Sequence, residues 1–162
     1  MDLNALYKLV EFFVKRGYPI MVNFNFGTTF KGAYDNVKNA VEMLIPLLKA
    51  HGLYERVLED EWNGRIIQSK RNGFWFHVDG ALDASYMPFL EIARNQGRIS
   101  EEIPIFDFRL PVHSIAVSGH KEIGAPWPAG VYMTRTKYLL NFLEVGYIGS
   151  QDSTLSGSRN GP

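Results

Sequence analysis

The stretch Phe74-Trp75-Phe76-His77-Val78-Asp79-Gly80-Ala81 decides the fold, because its apolar run predicts a buried strand ending at Asp79. Side chains alternate along a strand, so His77, Asp79 and Ala81 point the same way. A carboxylate at the end of an apolar strand is costly unless a cation or a donor meets it. Asp79 therefore either caps the next helix or pairs with a basic residue, or it binds a protonated ring nitrogen beside the small Ala81.

A second strand, Ser114 to Val117, leads into Ser118-Gly119-His120-Lys121 and a loop stiffened by glycine and proline. A lone loop lysine is usually a solvated surface residue. Ser118 and His120, however, carry groups that donate hydrogen bonds to a phosphate, and a deprotonated lysine amine forms imines with carbonyl compounds. The Asp79 strand and the Lys121 turn are more informative together than either is alone.

The rest of the chain alternates helices with strands. Gly27-Thr28-Thr29, Asp79 and the Lys121 turn each follow a strand, and ligands bind where such strand ends meet. The order predicts an α/β fold with a largely parallel sheet. The predicted segments are helices over 3–13, 37–48 (capped by Asp35 or Asn36) and 87–94, strands over 20–26, 74–78, 114–117 and 130–134, and mostly loop and short helix over 53–72.

Composition narrows the classes of function. Seventeen basic residues balance seventeen acidic ones, which gives no reason to expect nucleic acid or an anionic membrane as partner. Cysteine is absent, which excludes thiolate zinc sites and a cysteine nucleophile. The histidines lack metal-ligand spacing, so no metal is expected. The sequence also lacks a signal-peptide pattern and an apolar run of ~20 residues, so a cytoplasmic protein is the expectation.

The motifs resemble those of the fold-type I, group II pyridoxal-phosphate amino-acid decarboxylases, especially the histidine and serine decarboxylases. The resemblance runs from about Leu3 to the last residue, in family order. It implies a three-layer α/β sandwich in which residues 1–162 are part of the large, cofactor-binding domain. The blocks that carry it are Asn25-Phe26-Gly27-Thr28-Thr29-Phe30-Lys31-Gly32-Ala33-Tyr34-Asp35, His77-Val78-Asp79-Gly80-Ala81, Ser118-Gly119-His120-Lys121, and Asp152 to Gly161.

Carried over by motif position, the resemblance implies a role for each site residue. Lys121 forms the internal aldimine with pyridoxal phosphate, and Asp79 pairs with the pyridinium nitrogen. Ala81 packs on the ring face, and Thr28 lies near the ring. Two further residues, Ser118 and His120, bind the phosphate. Arg159 lies in the family's Gly-Ser-Arg segment and supports either the site or a dimer interface.

The implied activity is decarboxylation of an L-amino acid to its amine by an enzyme that is a homodimer at full length. The family's upstream segment, with a ring-stacking histidine, and its C-terminal small domain are expected to be missing. A non-catalytic or incomplete fragment is therefore one alternative. Another enzyme of the same fold, a cysteine desulfurase or an aminotransferase, is the other. Desulfurases carry an Asp-x-x-Gln pattern where this chain has Asp79-Gly80-Ala81-Leu82.

Overall fold

A computed structural model describes residues 1–62, 64–126, 129–138, 143–145 and 150–152. Helices and strands alternate along most of this length. The helices are α1 (Leu3–Val14), α2 (Val37–Ala50), α3 (Met87–Asn95) and a short 3-10 helix (Thr136–Tyr138). The strands are β1 (Ile20–Asn25), β2 (Arg56–Trp62), β3 (Arg65–Arg71), β4 (Phe74–Asp79), β5 (Ser114–Ser118), β6 (Gly130–Thr134), β7 (Leu143–Val145) and β8 (Ser150–Asp152).

The first two helices begin at side-chain caps. Asp2 accepts hydrogen bonds from the backbone N–H groups of Asn4 and Ala5 at the start of α1. Asn36, one of the two predicted caps, accepts from the N–H of Asn39 at the start of α2. Both helices are amphipathic, and each buries one apolar face. These helices, α3 and the four predicted strands are confirmed within one or two residues.

The main sheet has the order β1-β4-β5-β6. Strands β1, β4 and β5 are parallel, and β6 runs antiparallel to β5. The predicted α/β class with a largely parallel sheet is therefore confirmed. In this register Asn25 lies beside Asp79, and Asp79 lies beside Ala116. The ends of three parallel strands thus meet along one edge, called here the carboxyl edge.

One face of the sheet carries the hydrophobic core. Burial alternates along β4, where Phe76 and Val78 are fully buried while Trp75, His77 and Asp79 are only partly covered. The buried face packs against α1 and α2, and α3 adds Met87 to the same core. Each large apolar side chain buried there contributes about 1.5–3 kcal/mol.

The opposite face of the sheet is uncovered within the described part of the chain. Met21 of β1 is 66% exposed, and Tyr132 of β6 is 61% exposed. The described residues thus supply two layers of the expected three-layer sandwich, the sheet and the helices on its core face. Asp79 and His77 belong to the uncovered face.

The prediction of loop and short helix over Leu53 to Asn72 is wrong, because β2 and β3 form an antiparallel hairpin. Both faces of this hairpin meet solvent. Val57 is 57% exposed and Ile66 is 73% exposed, so no alternation between apolar and polar residues marks the strands. The usable signal was Asn63-Gly64, since Asn-Gly between two strands is typical of a two-residue hairpin turn. No helix in the described ranges is long and apolar enough to cross a bilayer.

Candidate active site

Backbone hydrogen bonds hold the three strand ends together at the carboxyl edge. The N–H of Phe26 donates to the carbonyl of Asp79 at 2.8 Å. The N–H of Gly80 donates to the carbonyl of Ala116 at 2.9 Å, and the N–H of Ser118 donates to that of Ala81 at 3.3 Å. The three polar segments singled out in the sequence therefore meet at one edge of the sheet, as expected.

Asp79 presents an open carboxylate at this edge. Its Oδ1 accepts the N–H of Ala81 at 3.2 Å, and its Oδ2 has no hydrogen-bond partner among the described residues. The N-cap of α3 is Tyr86, so Asp79 does not cap that helix. None of the salt bridges in the described ranges involves Asp79. Neither ordinary interpretation of Asp79 holds within this part of the chain, and one oxygen can receive a ligand's N–H.

The turn after β5 is closed by backbone contacts around Gly119. Its N–H donates to the carbonyl of Ala129 at 3.0 Å, and its carbonyl accepts from the N–H of Ala125 at 2.8 Å. A β-carbon at Gly119 would lie 3.1 Å from that of Ala129, so the site suits glycine. Lys121 is exposed, and its amine has no partner among the described residues. The turn therefore offers a free amine after the strand next to Asp79.

Ser118 and His120 differ in what they can donate. Ser118 is half-buried, and its hydroxyl makes no hydrogen bond within the described ranges. His120 Nδ1 lies 2.8 Å from the carbonyl oxygen of Ala129. A carbonyl only accepts, so Nδ1 carries the proton there and Nε2 of the neutral ring is an acceptor. His120 donates from Nε2 only as the imidazolium.

Thr28 closes the loop that follows β1. Its Oγ1 accepts from the N–H of Ala33 at 3.1 Å, which leaves the hydroxyl hydrogen able to donate. The preceding residue, Gly27, has φ +95°, and a β-carbon there would lie 2.4 Å from Cγ of the buried Asp83. Only glycine fits this close approach, and it sets where the Thr28 loop leaves the sheet.

Two polar groupings near the edge escaped the sequence analysis. Buried Ser114 accepts from Trp75 Nε1 at 2.8 Å and lies 2.7 Å from His77 Nδ1. The other pairs Tyr86 with Asp83. Burial, then the charge and hydrogen bond of Asp83 and the charge of Glu122, raise the pKa of Tyr86. Period-two spacing from Asp79 points to Trp75 and His77, but the strand register that brings Ser114 to them is not visible in the sequence.

Arg159 and the block that contains it, from Ser153 onward, lie outside the described residues. The Asp79, Lys121, Thr28, Ala81, Ser118 and His120 positions all lie inside them. Among the described residues there is no group of three or more His, Cys, Asp or Glu side chains placed to hold a metal ion.

A family model, the pyridoxal-dependent decarboxylase conserved domain, matches residues 1–159. The chain belongs to this family. It is 32% identical over 148 residues to a histidine decarboxylase of Solanum lycopersicum, covering 91% of this chain and 29% of that protein. It is 35% identical over 144 residues to serine decarboxylase 2 of Oryza sativa subsp. japonica, covering 88% of this chain and 24% of that protein. The resemblance read from the motifs is confirmed.

Solved structures support the same family. The L-methionine decarboxylase of Streptomyces sp. 590, in complex with L-methionine methyl ester, superposes with a TM-score of 0.83 at 44% identity. That match covers 99% of this chain and 34% of the solved chain. The chain thus spans about a third or less of the length of these decarboxylases.

The residues at the carboxyl edge fit the cofactor that gives the family its name. Asp79 has an open oxygen for a ring N–H, and Lys121 has an unpartnered amine for an aldehyde. The Ser118 hydroxyl is available to a phosphate oxygen. Ala81, tied by its backbone to both Asp79 and Ser118, leaves space above the strand ends.

Proposed function

We propose that the chain is the cofactor-holding part of a pyridoxal-phosphate-dependent decarboxylase that converts an L-amino acid to its amine and CO2. The supporting observation is the open oxygen of Asp79 on the uncovered face, beside the strand that leads to the unpartnered Lys121 amine. When bound, the cofactor supplies an electron sink for the pair of electrons left by departing CO2.

Asp79 and Lys121 divide the chemistry between them. The Asp79 carboxylate accepts a hydrogen bond from the ring nitrogen and keeps the proton on it, because a charged acceptor favours the cationic ring. Lys121 Nζ bonds to the cofactor aldehyde and is displaced by the amino group of the substrate. The freed amine can then hold a proton near the reacting carbon.

The other site residues position rather than react. Ser118 donates its hydroxyl to the phosphate, and His120 does so as the imidazolium because the Ala129 carbonyl holds Nδ1. Ala81 lies under the ring, where a larger side chain would displace it. Thr28 directs its hydroxyl toward the ring from the neighbouring strand end, which supports its assignment beside the catalytic pair.

The substrate we propose to test first is L-methionine. The chain is 44% identical to the L-methionine decarboxylase of Streptomyces sp. 590, against 32% and 35% to the histidine and serine decarboxylases. An uncharged side chain is the property these three substrates share at neutral pH, where the imidazole is largely neutral. We also propose that the full-length enzyme is a cytoplasmic homodimer, which sedimentation of the purified enzyme tests.

A second candidate is cofactor binding without turnover. The uncovered face of the sheet favours it, since the described residues place no wall on that face, where Met21 and Tyr132 stand 66% and 61% exposed. Such a chain would take up pyridoxal phosphate at Lys121 but would not shield the reaction from water.

The experiment compares three preparations after addition of pyridoxal phosphate: wild type, Lys121→Ala, and the charge-matched control Lys8→Ala at the exposed start of the chain. We expect a visible absorbance band in wild type and Lys8→Ala that Lys121→Ala lacks, and CO2 release from L-methionine above that from L-histidine and L-serine. A band without CO2 from any amino acid would support the second candidate. No band in wild type would contradict both.

A further inference from the structure

A second cavity lies at the opposite end of the sheet from Asp79. Its volume is about 620 Å³, and its walls include Trp75 near the start of β4, His113 just before β5, and Tyr138 beyond the end of β6. Strand β4 separates this amino edge from the Asp79 edge by about 15 Å at ~3.3 Å per residue. The family site does not reach it.

The cavity carries an excess of positive charge. Its charged lining residues are Lys70, Arg71, Lys137 and Glu55. Glu55 forms a salt bridge of 3.0 Å with Lys70, which leaves two cations uncompensated. Arg71 and Lys137 form no ion pair with any described residue, and both are exposed. An anion entering this cavity would meet two cations that no carboxylate in the described ranges neutralises.

His113 adds a buried donor without an acceptor. It is only 1% exposed, and its Nδ1 accepts the backbone N–H of Phe76 at 3.0 Å. The neutral ring must then carry its proton on Nε2, the nitrogen on the side away from Phe76. Nε2 has no hydrogen-bond partner among the described residues. A buried donor left unpaired is costly, so a ligand that supplies an oxygen acceptor gains what the protein alone lacks.

The remaining walls are aromatic. The His113 ring lies between Trp75 and Tyr138, with centroid distances of 4.9 Å to each. Lys137 lies over the Tyr138 ring at 4.8–4.9 Å in the same wall, with the distance to its centroid 4.9 Å. Flat apolar surface beside unpaired cations suits a ligand with an apolar ring and one anionic group better than an inorganic ion.

We propose that this amino-edge cavity binds a small organic anion, a carboxylate or a phosphate attached to an aromatic or apolar body. Arg71 and Lys137 bind the anionic group, the aromatic wall takes the apolar body, and His113 Nε2–H donates to an oxygen once the ligand has displaced the Tyr138 side chain. The site is separate from the proposed cofactor site and does not depend on it.

The test is a titration of the purified protein, without pyridoxal phosphate, with phenyl phosphate, phenylacetate and inorganic phosphate at matched ionic strength. Calorimetry follows binding, and the side-chain resonances of ¹⁵N-histidine follow His113. We expect saturable binding of phenyl phosphate or phenylacetate, at least about tenfold tighter than inorganic phosphate, with a shift of the His113 Nε2 resonance. Whichever of the two aromatic anions binds identifies the anionic group.

Three variants locate the binding. Arg71→Ala/Lys137→Ala changes only exposed side chains and should weaken binding at least about tenfold. Lys8→Ala removes a cation elsewhere, and Lys121→Ala removes the one at the cofactor site; neither should alter the affinity. The proposal is overturned by the absence of saturable binding, by equal affinity for inorganic phosphate, or by loss of binding in either control.

Discussion

The two edges of the sheet differ in how they treat polar groups. At the carboxyl edge, Asp79 and Lys121 have unpartnered atoms within the described residues, and backbone bonds rather than side-chain packing hold the loops. At the amino edge, His113 is 1% exposed and lies among aromatic rings. Side chains at the first edge are available for chemistry, and those at the second contribute mainly to folding. Substitutions should therefore change cofactor binding at one edge and stability at the other.

One glycine should break this rule and show the largest stability effect. Gly27→Ala at the carboxyl edge places a β-carbon 2.4 Å from Asp83 Cγ at φ +95°, so we expect a loss of about 3 kcal/mol in the free energy of unfolding. Gly32→Ala is the matched control, because φ is also positive, at +60°, but no atom lies within 4 Å. It should cost only about 1 kcal/mol. Equal losses in urea denaturation would show that the Asp83 contact is unimportant.

At the amino edge, His113 should make stability depend on pH. Burial first, then the charges of Lys137 and Arg135, lower its pKa from 6.5 to about 4. Between these values the unfolded chain binds a proton that the folded chain does not, so stability falls as the pH falls from 6.5 toward 4. The total loss from this group is about 3 kcal/mol.

Urea unfolding at pH 7, 5.5 and 4 measures this loss, and His113→Asn should show a shallower decline over that range. An NMR titration of wild-type His113 gives the same answer without a variant. A His113 midpoint near 6.5 would contradict the expected burial of the neutral ring.

The contrast is sharpened by Asp79→Asn, which keeps the shape of the side chain but removes its charge. The amide no longer stabilises a protonated ring nitrogen, so we expect CO2 release to fall about 100-fold or more while Lys121 still binds the cofactor. Stability should stay within about 0.5 kcal/mol, because Asp79 makes only one hydrogen bond in the described ranges. Comparable turnover in wild type and variant would defeat the electron-sink role.

The smallest expected effect compares two serines on the same face of β5. Ser114→Ala removes the partner of Trp75 Nε1 and His77 Nδ1, so about 1–2 kcal/mol of stability should be lost. Ser118→Ala removes no hydrogen bond within the described residues and should leave stability nearly unchanged while weakening cofactor binding. Thermal unfolding and cofactor titration of both variants check this, and the reverse pattern would contradict the division between the edges.

The predictability of each region from the sequence follows the same physical division. Phe74 to Asp79 was predictable because one face of the strand is buried, which imposes an apolar alternation. Hairpin β2–β3 was not, because Val57 and Ile66 lie exposed and no buried face constrains its pattern. Asp79 and Lys121 were found through their positions after strands and their family motifs. Ser114 was missed because its two partners come from a strand 37 and 39 residues earlier.

The most direct measurement of the central claim is mass-spectrometric mapping after borohydride reduction of the protein mixed with pyridoxal phosphate. The account predicts that the reduced cofactor is attached to Lys121 as the principal site in wild type and in Asp79→Asn, and that Lys121→Ala carries none there or elsewhere above background. A label spread over other lysines, or one unchanged by Lys121→Ala, would contradict it.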